Sequence, residues 1–369
     1  MKERLQGLDG LRGIAALIVL SSHTLLIFRS VAGGSERSAS DQAEPWIKTA
    51  LQSPLHVIYA GGEAVFVFFI LSGFVLVLPF LQRRPPSWIG YYPKRLLRLY
   101  VPILGAVIMT AAMVLAIPRV VSSDQTWWVN MHAIDMTFKG LIRESFTLLG
   151  TGRYNSVLWS LKWEIILSLF LPIYVVVARS MRSWWLLGAG VMILLSAAGL
   201  SMGNTYLEYL PMFGIGAFLA AGRDKIVGLA DRHSVGKISM TVAAAMFSAY
   251  WSIPGLPLPR VCLLIACTAL LIAFLTWTPA LGLSRTHIMK WLASRSFSLY
   301  LVHEPIIVSA ALVFPSRPWL SVAVGWPVAI LATELFFKFI EDPSRRLANW
   351  GGCATTDRLM PRASAKSQE

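Results

Sequence analysis

Cysteine is scarce in this sequence, three residues in 369. Cys262 and Cys267 fall in an apolar run and Cys353 in a polar end, which excludes a disulfide framework and leaves no redox compartment to be read. Charge is scarce as well, 14% of residues, with 19 acidic against 33 basic, too little for the surface of soluble globular domains. No His-Glu-x-x-His metal-ligand spacing and no Gly-x-Ser-x-Gly nucleophile elbow occurs. No internal repeat is present either, which removes the repeat architectures.

What is abundant is apolar: 56% of residues are hydrophobic and the mean hydropathy is +0.61. This composition predicts an all-α, polytopic integral membrane protein. Apolar runs lie at about 11–29, 55–81, 96–117, 157–178, 184–200, 205–222, 237–253, 259–279, 296–314 and 318–340. Each matches the thickness of a hydrocarbon core, so about ten transmembrane helices are expected. With both termini placed in the cytoplasm, inner segments hold 22 of the 33 basic residues and outer segments nine. The net charge of +14 is therefore topological, as the positive-inside rule requires, and nucleic acid is excluded as a partner. A cleaved signal peptide ending near Ser30-Val-Ala32 is the competing reading of the first run. It is set aside because the later spans alternate only with the first retained. Residues 1–346 are read as one transmembrane domain and 347–369 as a polar cytoplasmic tail, disordered by composition. Of the longer outer segments, 30–54 is expected to be a flexible loop, and 118–156 to hold a short amphipathic helix around Phe138 to Leu149.

Polar residues inside these spans carry the functional signal. In the first helix Arg12 and His23 are eleven residues apart, about three turns, on one face and roughly 16 Å apart along the axis. An ionisable residue near mid-membrane is read as facing protein or a wet cavity. Glu63, in Gly61-Gly-Glu63, is either a solvated cap or part of a site. Ser72 and Gly73 permit close helix approach. Arg95 and Arg98 are i,i+3 neighbours at the inner surface, suited to a phosphate-bearing ligand or to anchoring the topology. Trp159 and Trp163 share a helix face, as a binding wall or an interfacial belt. Ser160 and Glu164 share the adjoining face, with Glu164 about two turns inside the span. Ser296, Tyr300 and His303 form one polar stripe at i, i+4 and i+7. Glu304 and Pro305 follow, the proline loosening the backbone.

These residues match a family. Arg12-x10-His23, Phe68-Phe-x-Leu-Ser-Gly-Phe74, Arg95-x-x-Arg98 followed by Pro102, Trp159-Ser-Leu-x-x-Glu164, Ser298-x-Tyr-Leu-x-His303 and Glu341-x-Pro343 occur in that order. Between about residue 4 and residue 346 the chain resembles the membrane-bound acyltransferase-3 family, which O-acylates glycans, lipids and some antibiotics. The resemblance implies a ten-helix fold, an acyl-CoA donor and a catalytic first-helix histidine. Two departures stand out. The Asp that many members place two positions before the Phe-Phe pair is Phe66 here, with Glu63 one turn earlier as its candidate replacement. Longer members carry a soluble esterase-like domain or an eleventh helix after the tenth, and this chain ends before either, which implies a partner or a simpler acceptor.

Acyl transfer to a hydroxyl needs a base for the proton and a group to stabilise charge on the thioester oxygen. His23 is the expected base, and Glu164 the expected partner that orients its imidazole or that of His303. Arg12, Arg95 and Arg98 are expected to hold the phosphates of the donor, with Glu63, Ser72, Trp159, Ser160, Tyr300 and His303 around the substrates. Acyl-CoA enters as co-substrate, with no metal and no bound cofactor. The acceptor class is a glycan, a lipid-linked sugar or a small hydroxylated molecule, and the location a multi-pass protein of the inner, plasma membrane. The alternative class is a transporter of an anionic solute or lipid precursor, although its usual paired repeats and broken helices are not evident in the sequence.

Overall fold

The computed structural model describes residues 2–32, 45–150, 152–230, 234–253 and 255–359, all helix and loop without a strand. The principal helices are α1 (Lys2–Leu25), α2 (Gly61–Val77), α3 (Trp88–Ala116), α4 (Leu158–Leu169), α5 (Leu171–Ser180), α6 (Trp185–Met202), α7 (Thr205–Ala230), α8 (Val235–Ser252), α9 (Pro259–Thr276), α10 (His287–Val313), α11 (Pro318–Phe336) and α12 (Asp342–Leu359). Every apolar run of the sequence coincides with one or two of them. Among the described residues six are long and apolar enough to cross a membrane, seven if α4 and α5 count as one bent span. α1, α7 and α8 are helices at the expected places but are less apolar, α1 because it carries Asp9 and Arg12.

α1 lies at the centre, packed against α2, α9 and α10, while α7 covers α2, α6 covers α7, α8 covers α9 and α11 covers α10. α10 is the most enclosed of the apolar helices. α2 and α7 meet backbone to backbone. A Cβ on Gly73 would stand 2.1 Å from the Phe213 carbonyl oxygen, and one on Gly216 would stand 1.9 Å from that of Ile70. Glycine alone permits that approach, which seats Ser72 firmly in the core.

The fourth expected span is broken, bending by 58° between α4 and α5. Pro172 has no N–H for the Ser168 carbonyl and forces the break. The carbonyls exposed there are taken by phenols of α3: Tyr91 donates to Ser168 at 3.4 Å and Tyr92 to Leu169 at 3.3 Å. Two loop expectations change. The amphipathic helix of the long loop is Phe138–Ser145, shorter than expected because the Glu144 carboxylate accepts from the N–H groups of Gly152 and Arg153 and folds the chain back. The expected tail is helical as far as Leu359, α12 packing along α3 where Gly352 leaves no room for a Cβ beside the Gly90 carbonyl. Residues 360–369, and residues 33–44 of the expected loop 30–54, lie outside the described residues.

Candidate active site

Arg12 and His23 both face α10, as their spacing requires. At one end of the bundle a cavity of about 130 Å³ is lined by Arg12, Ser72, Arg95, Arg98, Ser160, Glu164 and Tyr300, among others. A second, polar cavity of about 300 Å³ adjoins it, sharing Arg12, Arg98 and Ser296 and adding Lys290 and Arg345. Five separate helices, α1, α2, α3, α4 and α10, thus bring the sequence candidates to one place.

The three arginines are not equivalent. Arg95 donates from Nη2 to Glu164 Oε1 at 2.5 Å and from Nε to Ser168 Oγ at 2.9 Å. Ser72 Oγ donates to the same Glu164 oxygen at 3.3 Å. Arg12 and Arg98 make no ion pair or hydrogen bond among the described residues. They present two free guanidinium forks where the two cavities meet. The expectation that Glu164 orients an imidazole is corrected: its carboxylate is turned toward Arg95 on α3, because α4 bends away at Phe170 and places Glu164 beside that helix.

The histidines sit beyond the deep end of the cavity, where Tyr300 closes it. Tyr300 and Ser160 hydroxyls are 2.7 Å apart, and the Tyr300 ring lies 6.0 Å from that of His303. His303 Nδ1 donates to the Leu299 carbonyl at 2.9 Å, one turn back on α10. A carbonyl only accepts, so in neutral His303 the proton is on Nδ1 and Nε2 is the acceptor. His23 Nδ1 stands 2.9 Å from that Nε2 and is therefore the donor. The lone pair of neutral His23 is left on Nε2, the nitrogen a base needs.

Two further residues complete the centre. The short helix Trp127–Asn130 is pinned by Thr126, whose hydroxyl donates to the Leu26 carbonyl at 2.9 Å, and by Gln125, which donates to that of Ala311 at 2.8 Å. It lays Trp128 on the His23 ring, 5.4 Å between centroids. His132 follows, donating from Nδ1 to the Trp128 carbonyl at 2.8 Å and meeting Glu304 Oε1 through Nε2 at 2.7 Å. Both its nitrogens face acceptors, the arrangement of an imidazolium beside a carboxylate. Glu304 is fully buried and also accepts from Ser156 Oγ and the Val157 N–H. Nearby Arg119, outside the spans, donates from Nη1 to the Tyr154 carbonyl at 3.1 Å, while its Nε and Nη2 are buried without a partner. Burial lowers its guanidinium below the usual value and the Glu304 charge opposes that. His132 lies in an extramembrane loop with no motif around it, and only its contact with Glu304 reveals it.

The Ser298 and Glu341 motifs, 43 residues apart, also close on each other: the Ser298 N–H and hydroxyl donate to Glu341 Oε2 at 3.1 and 2.5 Å. Two candidates lie elsewhere. Trp159 is turned to Phe69 of α2 and Tyr209 of α7 and does not line either cavity. Glu63 lines a separate cavity between α1 and α8.

The sequence profile of the acyltransferase domain of the acyltransferase-3 family matches residues 5–337. The chain belongs to this family. It is an acyltransferase, embedded in a membrane by its apolar helices. Acyltransferase MdmB of Streptomyces mycarofaciens is similar to it, 24% identical over 381 residues that span 93% of this chain and 92% of the relative. No solved structure matches the chain. The matched segment of the acyltransferase-3 domain contains the two cavities, both histidines of the His23–His303 pair and the Glu304–His132 pair, leaving outside it only Glu341, Arg345 and the rest of α12.

Proposed function

We propose that this acyltransferase moves an acyl group, acetyl being the expected one, from acyl-CoA to a hydroxyl of a glycan, glycolipid or similar acceptor, with His23 as general base. The observation that carries the reading is the His23–His303 bond, whose proton order leaves a lone pair on His23 Nε2, on the helix that also holds the unpaired Arg12.

The acceptor O–H gives its proton to His23 Nε2 as its oxygen attacks the thioester carbonyl carbon. The C–S bond then breaks, and the CoA thiolate takes the proton back from the imidazolium. His303 keeps the His23 ring in the useful tautomer, because its Nε2 accepts from Nδ1 throughout. The Glu304 anion, next to His303 in the chain, favours the transient imidazolium by its charge. Arg12 and Arg98 hold donor phosphates through charge-assisted hydrogen bonds. Arg95 is left mainly to shape the cavity through Glu164. A direct attack by the acceptor is preferred to a Ser or Cys acyl-enzyme, since the sequence has no Gly-x-Ser-x-Gly elbow and the buried Cys267 is on α9, its thiol turned to the Glu63 carbonyl.

The topology that goes with this reading is ten spans with both termini in the cytoplasm of the cell that makes the protein, in its plasma membrane. Donor phosphates then sit at the cytoplasmic surface and the acyl group is delivered about 16 Å deeper by helix rise. The test uses purified protein with acetyl-CoA and candidate hydroxyl acceptors. Free CoA and a mass gain of one acetyl on the acceptor are the expected products. Acceptor-independent binding of CoA without any transfer, over the full range of acceptors, overturns it.

A further inference from the structure

Glu63 was singled out by the sequence and is not used by the reaction above. It lines a cavity of about 370 Å³ whose other walls are almost wholly apolar, with Ile14 and Ile18 of α1 facing Met240, Ala244 and Phe247 of α8. Among the described lining residues Glu63 is the only charged one. The face of α8 from Met240 to Trp251 extends the slot over about 16 Å by helix rise, the length of a lipid chain segment. Glu63 stands at one end, where its Oε1 accepts from Trp251 Nε1 at 3.2 Å and lies 3.7 Å from His56 Nε2. Its other oxygen makes no hydrogen bond among the described residues.

The same end adjoins a wider cavity of about 480 Å³ that shares Trp251 with the slot and is bounded by Gln52, His56, Tyr250 and Pro259. His56, Trp251 and Phe247 are stacked in series, with centroids 5.0 and 5.1 Å apart. Exposed Arg260 follows Pro259 at this mouth. The parts are therefore a chain-length apolar slot, a carboxylate with a vacant acceptor oxygen and aromatic faces at its end, and a cation outside.

We infer that this is a lipid site for an aminophospholipid of the bilayer, with one acyl chain in the slot, the head-group ammonium on Glu63 and its aromatic neighbours, and the phosphate toward Arg260. Carboxylate, stacked rings and a donor-bearing cation are complementary in charge and in hydrogen bonding. An anionic head group is disfavoured by Glu63, and a bare hydrocarbon leaves the carboxylate oxygen unpaired in an apolar wall. The ligand is not the acyl acceptor. Gly61 packs on Ser22 so closely that a Cβ would meet its Oγ at 2.7 Å, and this contact between α1 and α2 separates the slot from His23. Occupancy instead supports a second face of α1, the helix that carries Arg12 and His23.

The experiment is native mass spectrometry of the full chain released from nanodiscs of phosphatidylglycerol doped with phosphatidylethanolamine. The expected result is one retained phosphatidylethanolamine per chain and preference over phosphatidylglycerol. Glu63→Gln should weaken retention about ten- to a hundredfold, the worth of one charge-assisted hydrogen bond. Ala244→Phe, which fills the slot and leaves Glu63 untouched, should abolish it. Equal retention of the two lipids by the unaltered protein overturns the inference without any variant, as does unchanged retention in Ala244→Phe. Because acyl transfer is not the readout, failure here leaves the proposed reaction standing, and failure of the reaction leaves this site standing.

Discussion

Arg95 on α3 and Glu164 on α4 are joined by an ion pair of 2.5 Å, and this contact separates Arg95 from the two arginines beside it. A half-buried guanidinium with a carboxylate already on it has little left to offer a phosphate, whereas Arg12 and Arg98 have no such partner among the described residues. The pair also closes the bend at Phe170, since Arg95 Nε holds Ser168 at the end of α4.

Replacing Arg98 with Gln should raise the KM for acyl-CoA about ten- to a hundredfold with a small change in acceptor KM. Arg98→Lys should rescue only in part, lacking the fork. Arg95→Gln should act differently, lowering thermal stability, with a double-mutant cycle to Glu164→Gln giving a coupling of order 1 kcal/mol or more. Steady-state kinetics and unfolding of the same preparations check both. An Arg95→Gln effect confined to donor KM counts against the division.

His23→Ala should leave the protein abundant and inserted while transfer falls about 10²-fold or more. Near-normal turnover in a well-expressed variant removes His23 from the reaction.

His303 acts through His23, so its replacement should be graded. His303→Gln retains a side-chain oxygen able to accept from His23 Nδ1 and should keep more activity than His303→Ala, with kcat rather than donor KM carrying the loss. Equal losses in the two variants argue that His303 only fills space.

Glu304 is buried with three donors on its carboxylate, and removing it strands His132. Glu304→Ala should destabilise the fold by about 3–5 kcal/mol, read as a drop in the thermal midpoint. His132→Phe, which keeps the ring volume, should be rescued toward the parent value by a second change, Glu304→Leu, since an apolar pair leaves neither charge unpaired.

Reporter fusions at Ser123 and after Leu359 test the topology. A periplasm-active reporter at Ser123 and a cytoplasm-active one after Leu359 are expected. The reverse at the second position changes the span count by one.

The division between sequence and structure follows from range. Helix positions were legible because apolar runs are local, and the pairing of Arg12 with His23 on one face was legible because 3.6-residue periodicity is local as well. Membership in the acyltransferase-3 family was legible because its short motifs keep their order along the chain. What carried no local trace was which helix faces which. Pro172 marks a break, but only the packed bundle decides that the break turns Glu164 to Arg95 and away from the imidazoles. Trp159 has the same spacing to Ser160 whether it faces substrate or Tyr209, and the side of α4 against α2 and α7 settles it. His132 sits in a loop where no periodicity operates, and its meeting with Glu304, 172 residues away, exists only once α10 and that loop are brought together. Sequence by itself determined the elements, the family and the chemistry present. The tertiary structure decided the partners of each ionisable group, because in a low-dielectric interior a charge is defined by what stands within a few ångströms of it, and those neighbours come from distant parts of the chain.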